Sequence, residues 1–193
     1  MEECLRGFLN DFPAEITETP ETLTVANLIN ARDNNNQEIL GETPAQAFHH
    51  EVAKLPFTGI RCRKDAQTEI SVLMMRVRNP DEDDWKKLRR LLGYLNRTIK
   101  LPLILRADGV NVLKLWVEAS YLYHDDMRGH TGGTMSMGKD GRRSIISISR
   151  KLNINTKILV EAELIGADDA MPQMLWKRYF LEAQGYGINE NIL

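Results

Sequence analysis

The sequence predicts an α+β chain in which helices come first, three antiparallel strands follow, and helices close the fold. Three observations carry this. Between 43 and 100, apolar residues recur at helical spacing in segments opened by capping residues. Between 112 and 149 the period switches to strict alternation, and a glycine-containing turn joins two short runs. From 156 onward the helical spacing returns. Strands in one block and helices in another is the α+β pattern.

Composition sets the frame. A chain of 193 residues, 42% hydrophobic and 27% charged, fits one large domain or two small ones. A net charge of −2 does not announce a nucleic-acid partner, so any basic surface must be local. The two cysteines, Cys4 and Cys62, match neither a disulfide framework nor a CxxC pattern and read as reduced thiols. No apolar run approaches a membrane span, and "MEECLRGFLNDF" is acidic where a signal peptide begins basic. The expected setting is intracellular, in cytoplasm or nucleus, with no membrane partner.

Three parts follow in order. Residues 1–42 are polar, turn-rich and weakly periodic, and read as a partly ordered lead-in with one short helix and no core. Residues 43–100 read as helical. "TPAQAFHHEVAKL" has Thr43 as N-cap and Pro44 at the first helical position, with Pro56 ending the helix. "DAQTEISVLMMRVR" spaces Ile70, Leu73, Met74 and Val77 on one face, with Asp65 as cap. In "NPDEDDWKKLRRLLGYLNRT", Asn79 caps, Pro80 starts, and Asp81, Glu82 and Asp83 meet the positive end of the helix dipole. Trp85, Leu88, Leu92 and Leu95 form its apolar stripe, and Lys86, Lys87, Arg89 and Arg90 lie beside or opposite it. That basic face is either a solvated helix surface or a contact for nucleic-acid phosphates, which need clustered cations and no sequence code.

Residues 101–193 hold the strands. "VLKLWVEAS" sets Leu113, Leu115, Val117 and Ala119 on one side and Lys114, Trp116 and Glu118 on the other. "GGTMSMGKDGRRSIISIS" reads as a hairpin turning at Asp140-Gly141. A helix over 156–171 follows. Pro172 interrupts it and opens a second helix that Gly185 ends. Within this part Glu163 falls between Val160, Leu164 and Ala167, close to an apolar stripe rather than opposite it. An outward acid on the first strand, Glu118, and Glu163 on a helix packed over the sheet could together hold a divalent cation by oxygen ligands. Two acids about forty-five residues apart are also ordinary surface residues, and spacing alone does not separate the two readings.

From about Phe48 to the end the chain resembles a stretch of copia-type LTR retrotransposon polyproteins. "FHHEVAKL" is similar to the helix leaving the palm of that family's reverse transcriptase. "RCRKDAQTEISVLMMRVRNPDEDDWKKLRRLLGYLNRTIKLPLIL" resembles the segment leading through its thumb and connection. "WVEASYLYHDDMRGHTGG" resembles the first two strands of its ribonuclease H domain, and "NTKILVEAELIG" the helix written "STEAELIG" in the family. "LWKRYFLEAQGY" resembles the helix after it. The resemblance implies a helical reverse-transcriptase remnant joined to an incomplete ribonuclease H-like domain. It also implies a magnesium site acting on RNA–DNA hybrids. The family's acid in "EAEL" maps to Glu163, and its aspartate in "VDAS" maps to Glu118, a glutamate here. A third acid, in a later "QDN" motif, has no counterpart up to Leu193, and the polymerase "YVDD" aspartates are absent.

These departures bear on activity. The additional methylene at Glu118 displaces its carboxylate, and an error of about an ångström can cost on the order of a hundredfold in rate. Pro56 interrupts a helix that is continuous in the family, Lys64 stands for a proline, and Ile158-Leu159 replace a polar pair. Asp168 and Asp169 either substitute as ligands or cap a helix at Pro172. The expectation is an inactive fragment, with residual magnesium-dependent cleavage and nucleic-acid binding without chemistry as the two alternatives. His49-His50, His124 and His130 lack metal-ligand spacing. "GHTGG" precedes a strand, which argues against a phosphate cradle. Trp85, Trp116 and Trp176 read as packing residues.

Overall fold

The computed structural model describes residues 2–23, 38–124, 126–139 and 143–193. The chain divides into two compact units, Met1–Leu103 and Ile104–Leu193. It is a mixed α+β protein, with five α-helices and one four-stranded sheet among the described residues. Among the described residues no helix is long and apolar enough to cross a membrane.

The first unit is helical: α1 (Glu2–Asp11), α2 (Glu42–Arg61), a 3₁₀ turn (Lys64–Ala66), α3 (Gln67–Arg76) and α4 (Glu82–Arg97). Its core gathers Phe48, Val52 and Leu55 from α2, Ile70 and Leu73 from α3, and Leu88, Leu91, Leu92 and Leu95 from α4. The α4 stripe read from the sequence thus enters the core, with Leu91 added. The lead-in contributes where none was expected. Leu5 and Phe12 are buried, and Phe12 stacks on Trp85 with ring centroids 5.5 Å apart.

Several helix boundaries move. The α2 N-cap is Gly41, and Pro56 lies inside the helix rather than ending it. A proline there removes one backbone donor. Burial of Leu55, Thr58 and Gly59 around it carries the helix onward to Arg61. Asp65 does not cap α3, because its carboxylate is held by Arg63 at 3.0 and 2.7 Å. Asp81, not Asn79, caps α4. Its side chain accepts from the Asp84 N–H at 2.8 Å while the Asp84 carboxylate accepts from the Asp81 N–H at 3.2 Å, a reciprocal box that satisfies two end donors.

The second unit contains β1 (Val112–Ser120), β2 (His130–Met137), β3 (Ser144–Lys151), α5 (Leu159–Ala183) and β4 (Glu190–Ile192). The expected turn at Asp140-Gly141 lies outside the described residues. The strand order is β3-β2-β1-β4. The first three strands are antiparallel, as expected, with Glu118 opposite Gly132 and Thr134 opposite Ser147. The fourth strand was not expected. It pairs parallel to β1, from Val112↔Glu190 to Lys114↔Ile192. Leu113, Leu115 and Met135 from the sheet pack with Ala170 and Met174 from α5 and with Ile188.

One continuous helix replaces the two expected around Pro172. It ends as read, at Gly185, whose φ of 88° is the left-handed conformation that glycine adopts freely. Tyr186 N–H donates to Leu181 O at 3.0 Å and Gly185 N–H to Glu182 O at 2.9 Å, closing the last turn. The buried face of α5 is Ala162, Gly166, Ala170 and Met174. Val160 and Leu164, the stripe beside Glu163 in the sequence, are 58% and 66% exposed. That expectation is corrected. Small residues face the sheet because the helix lies close to it, so the bulky ones are left outside.

Candidate active site and basic face

Alternation in β1 sets the position of Glu118. Leu113, Leu115 and Ala119 are buried on the α5 side, and Trp116 and Glu118 are exposed on the opposite face. Glu118 therefore does not lie beneath the helix. Its cross-strand partner is Gly132, where a Cβ would meet nothing within 4 Å, so its carboxylate has open space beside it.

Glu163 is placed by the roll of α5. The central contact is Gly166, where a Cβ would come within 3.2 Å of Ala119 Cβ and of Thr131 Oγ1. One flank is fixed by Asp169, whose carboxylate is 3.3 Å from Arg150 Nη2 and whose carbonyl also accepts from Arg150, on β3. At about 100° per residue, Glu163 and Ala167 occupy the other flank, over the free edge of β1. Ala162 packs with Ala119 and Leu152, which sets Glu163 at the height of the β1 C-terminal end. β4 covers β1 only as far as Lys114. Beyond it an open groove of about 600 Å³ is lined by Trp116, Glu118, Gly132, Thr134, Ala167 and Leu193. Glu163 is exposed on α5, one turn before Ala167. Of the two acids, Glu118 lines this groove.

Both are oxygen donors of the kind that a hard divalent cation takes. Among the described residues no group of three His, Cys, Asp or Glu side chains gathers to hold a metal. The described residues do not complete a magnesium site. Asp169 is committed to Arg150, and Asp168 is exposed on α5.

The basic face of α4 is largely engaged within its own unit. Lys87 Nζ is 2.7 Å from Asp83 Oδ2, one turn back. Arg89 Nη2 donates to Glu15 O at 3.2 Å, and Arg90 donates to Thr22 O at 3.0 Å and to Leu23 O at 3.3 Å. Arg97 adds Thr19 O at 3.1 Å. A Cβ at Gly93 would run into the Glu18 carbonyl, so the lead-in lies directly across α4. Lys86 is exposed.

Two clusters escaped the sequence reading. Arg63, 1% exposed, bridges Asp65, Thr98 O (3.3 Å) and Thr98 Oγ1 (2.7 Å), with its guanidinium 5.2 Å from the Tyr94 ring centre. The second joins His124 Nε2 to His130 Nδ1 at 3.1 Å. These histidines are six positions apart in sequence, and the fold of the β1–β2 loop brings them together.

No protein-family model, curated protein or solved structure matches the chain.

Proposed function

We propose that residues 104–193 form a ribonuclease H-like module of a copia-type polyprotein, and that residues 1–193 alone do not cleave hybrids. The helical unit before it is then the reverse-transcriptase thumb and connection remnant. The observation that carries the reading is the agreement between sequence words and topology. "WVEAS" lies on the central strand β1, "EAELIG" opens the helix packed on it, and the chain then enters a strand parallel to β1. Glu118 of β1 and Ala167 of α5 line one groove.

The same topology locates where a third acid would join this site. The register Lys114↔Ile192, continued for four residues on each strand, arrives at Glu118. An acid four residues beyond Ile192 would lie beside Glu118 and on its face, since registered residues of parallel strands share a side. Bound magnesium would supply hydroxide and neutralise the leaving oxygen of a phosphodiester. Glu118 and Glu163 would hold and orient it, and Trp116 would form the wall of the groove.

The test extends the chain. A variant carrying Glu118→Asp and an aspartate four residues beyond Ile192 should cleave the RNA of an RNA–DNA hybrid in magnesium, and Glu163→Gln should abolish that gain at least a hundredfold. Neither change alone should suffice. Failure of the combined variant, correctly folded, would sink the ribonuclease H-like reading. Cleavage by the unmodified chain that Glu163→Gln removes would instead overturn its inactivity.

A further inference from the structure

The loop between β1 and β2 holds a cluster that the hybrid-cleaving reading does not use. His124 Nε2 and His130 Nδ1 stand 3.1 Å apart. Two nitrogens at that separation, each about 2.0–2.1 Å from one ion, would subtend roughly 95–100° at it, between the octahedral and tetrahedral angles. The other ring nitrogen of His130 lies 2.8 Å from Ser149 Oγ. With Nε2–H donating to that hydroxyl, the Nδ1 lone pair of His130 faces His124, and a metal-bound imidazole is ordinarily oriented by such a partner.

Both rings are held in place. His130 is 7% exposed, and its N–H donates to Ser120 Oγ at 3.1 Å while its carbonyl accepts from the same hydroxyl at 3.3 Å. His124 is held by its loop. The N–H groups of Tyr123 and His124 both donate to Arg128 O at 3.0 Å, and Met127 N–H donates to His124 O at 2.8 Å. Tyr123 meets the His124 ring edge-on at 5.3 Å.

The loop adopts this shape against its own preference. Among the described residues the non-glycine positions with positive φ are Leu122 (52°) and Met127 (63°), one on each side of His124. Each costs on the order of 1 kcal/mol or more, and such strain concentrates where a fold must present particular groups. A plain connection between β1 and β2 would not require it.

We propose that His124 and His130 bind a late first-row divalent ion such as zinc through His124 Nε2 and His130 Nδ1, with water completing its shell. Imidazole pairs suit zinc, copper and nickel, whereas magnesium requires oxygen ligands. The site is therefore chemically distinct from the groove that Glu118 lines and stands independently of its function. Asp126 in the same loop is committed to Lys151 at 2.5 Å and to Arg128 at 3.5 Å, and is not counted as a ligand.

Calorimetric titration of the whole chain with zinc chloride at neutral pH tests this. One saturable equivalent is expected, at least tenfold weakened by His124→Gln, and unmoved by His49→Gln with His50→Gln on α2. His124 is half-buried in a loop, so its variant folds if the hairpin does, and circular dichroism checks that. A second readout is zinc protection of His124 from diethyl pyrocarbonate. The proposal is overturned if the wild-type chain takes up no zinc saturably, if binding survives His124→Gln, if it is lost with His49 and His50, or if millimolar magnesium displaces zinc.

Discussion

Gly166 of α5 sits against Ala119 of β1 so closely that a Cβ at 166 would lie 3.2 Å from the Ala119 methyl carbon. A glycine inside a helix costs up to about 1 kcal/mol relative to alanine, so this one is explained by close approach rather than by helix formation. The contact fixes the height of α5 over the sheet, and with it the reach of Glu163 towards the β1 edge.

Gly166→Leu should therefore destabilise the second unit by about 2–3 kcal/mol, read as a lowered urea midpoint, because the side chain has only the Ala119 and Thr131 atoms to displace. Gly166→Ala should stay within about 1 kcal/mol, helix propensity offsetting a tight contact. A leucine variant as stable as the parent would mean that the helix does not rest on β1 at this distance.

Arg63 and Asp65 form a largely enclosed ion pair in the first unit, with side chains 2% and 32% exposed. Burial alone would raise the Asp65 pKa. The Arg63 hydrogen bonds and charge, with the Tyr94 hydroxyl donating at 3.0 Å, overcome that and hold it below the ordinary 3.8. Removing the cation leaves a half-enclosed carboxylate, so Arg63→Ala should cost about 2–4 kcal/mol at neutral pH. Arg63→Met with Asp65→Leu should lose less than Arg63→Ala, since no charge is then stranded. The folded pKa is depressed, so this stabilisation is complete above 3.8 and disappears as pH falls through the lower folded value. Urea midpoints of parent and Arg63→Ala should converge in that acid window. A gap that persisted unchanged there would assign the loss to packing.

Arg89 and Arg90 have their guanidinium groups on lead-in carbonyls. Replacing both with Gln should raise amide exchange and proteolysis within residues 13–23, by about 1 kcal/mol of local opening. The salt dependence of hybrid binding should change by less than the slope of one phosphate contact, about 0.9. A slope flattened by roughly two would assign both arginines to phosphate instead.

How much of this was legible in the sequence depended on whether one face of an element is water. β1 alternates because one face is buried and the other exposed, so Leu113, Leu115 and Ala119 could be separated from Glu118 by period alone. α4 was readable for the same reason, through Leu88, Leu92 and Leu95. α5 misled because it is apolar on both sides, with Leu164, Leu175 and Tyr179 exposed and the inward face built from Ala162, Gly166 and Ala170. Size and hydrophobicity pointed outward while packing distance chose small residues. β4 is three exposed residues, too short for any period, and exists by pairing with β1. The two histidines are joined by the fold of the β1–β2 loop, which no local spacing encodes. Of the two candidate acids, Glu163 stands out in the sequence for a stripe that the fold leaves in solvent.

Pro172 yields the last prediction. It lies inside the continuous α5 at an exposed position, where it cannot donate to the carbonyl one turn earlier and its ring crowds that turn. A helix-interior proline is about 3 kcal/mol worse than alanine, and the burial of Ala170 and Met174 on either side holds the helix together across it. Because the ring is exposed, Pro172→Ala removes little packing. It should stabilise the second unit by about 1–3 kcal/mol, some of the gain being lost because alanine frees the unfolded backbone. Thermal melts followed by circular dichroism would show a higher midpoint with unchanged or greater helix content. A lower midpoint would mean that a bend at Pro172 seats Met174 and Ile188 in the core. α5 would then act as two helices meeting at a proline, which is how its sequence first reads.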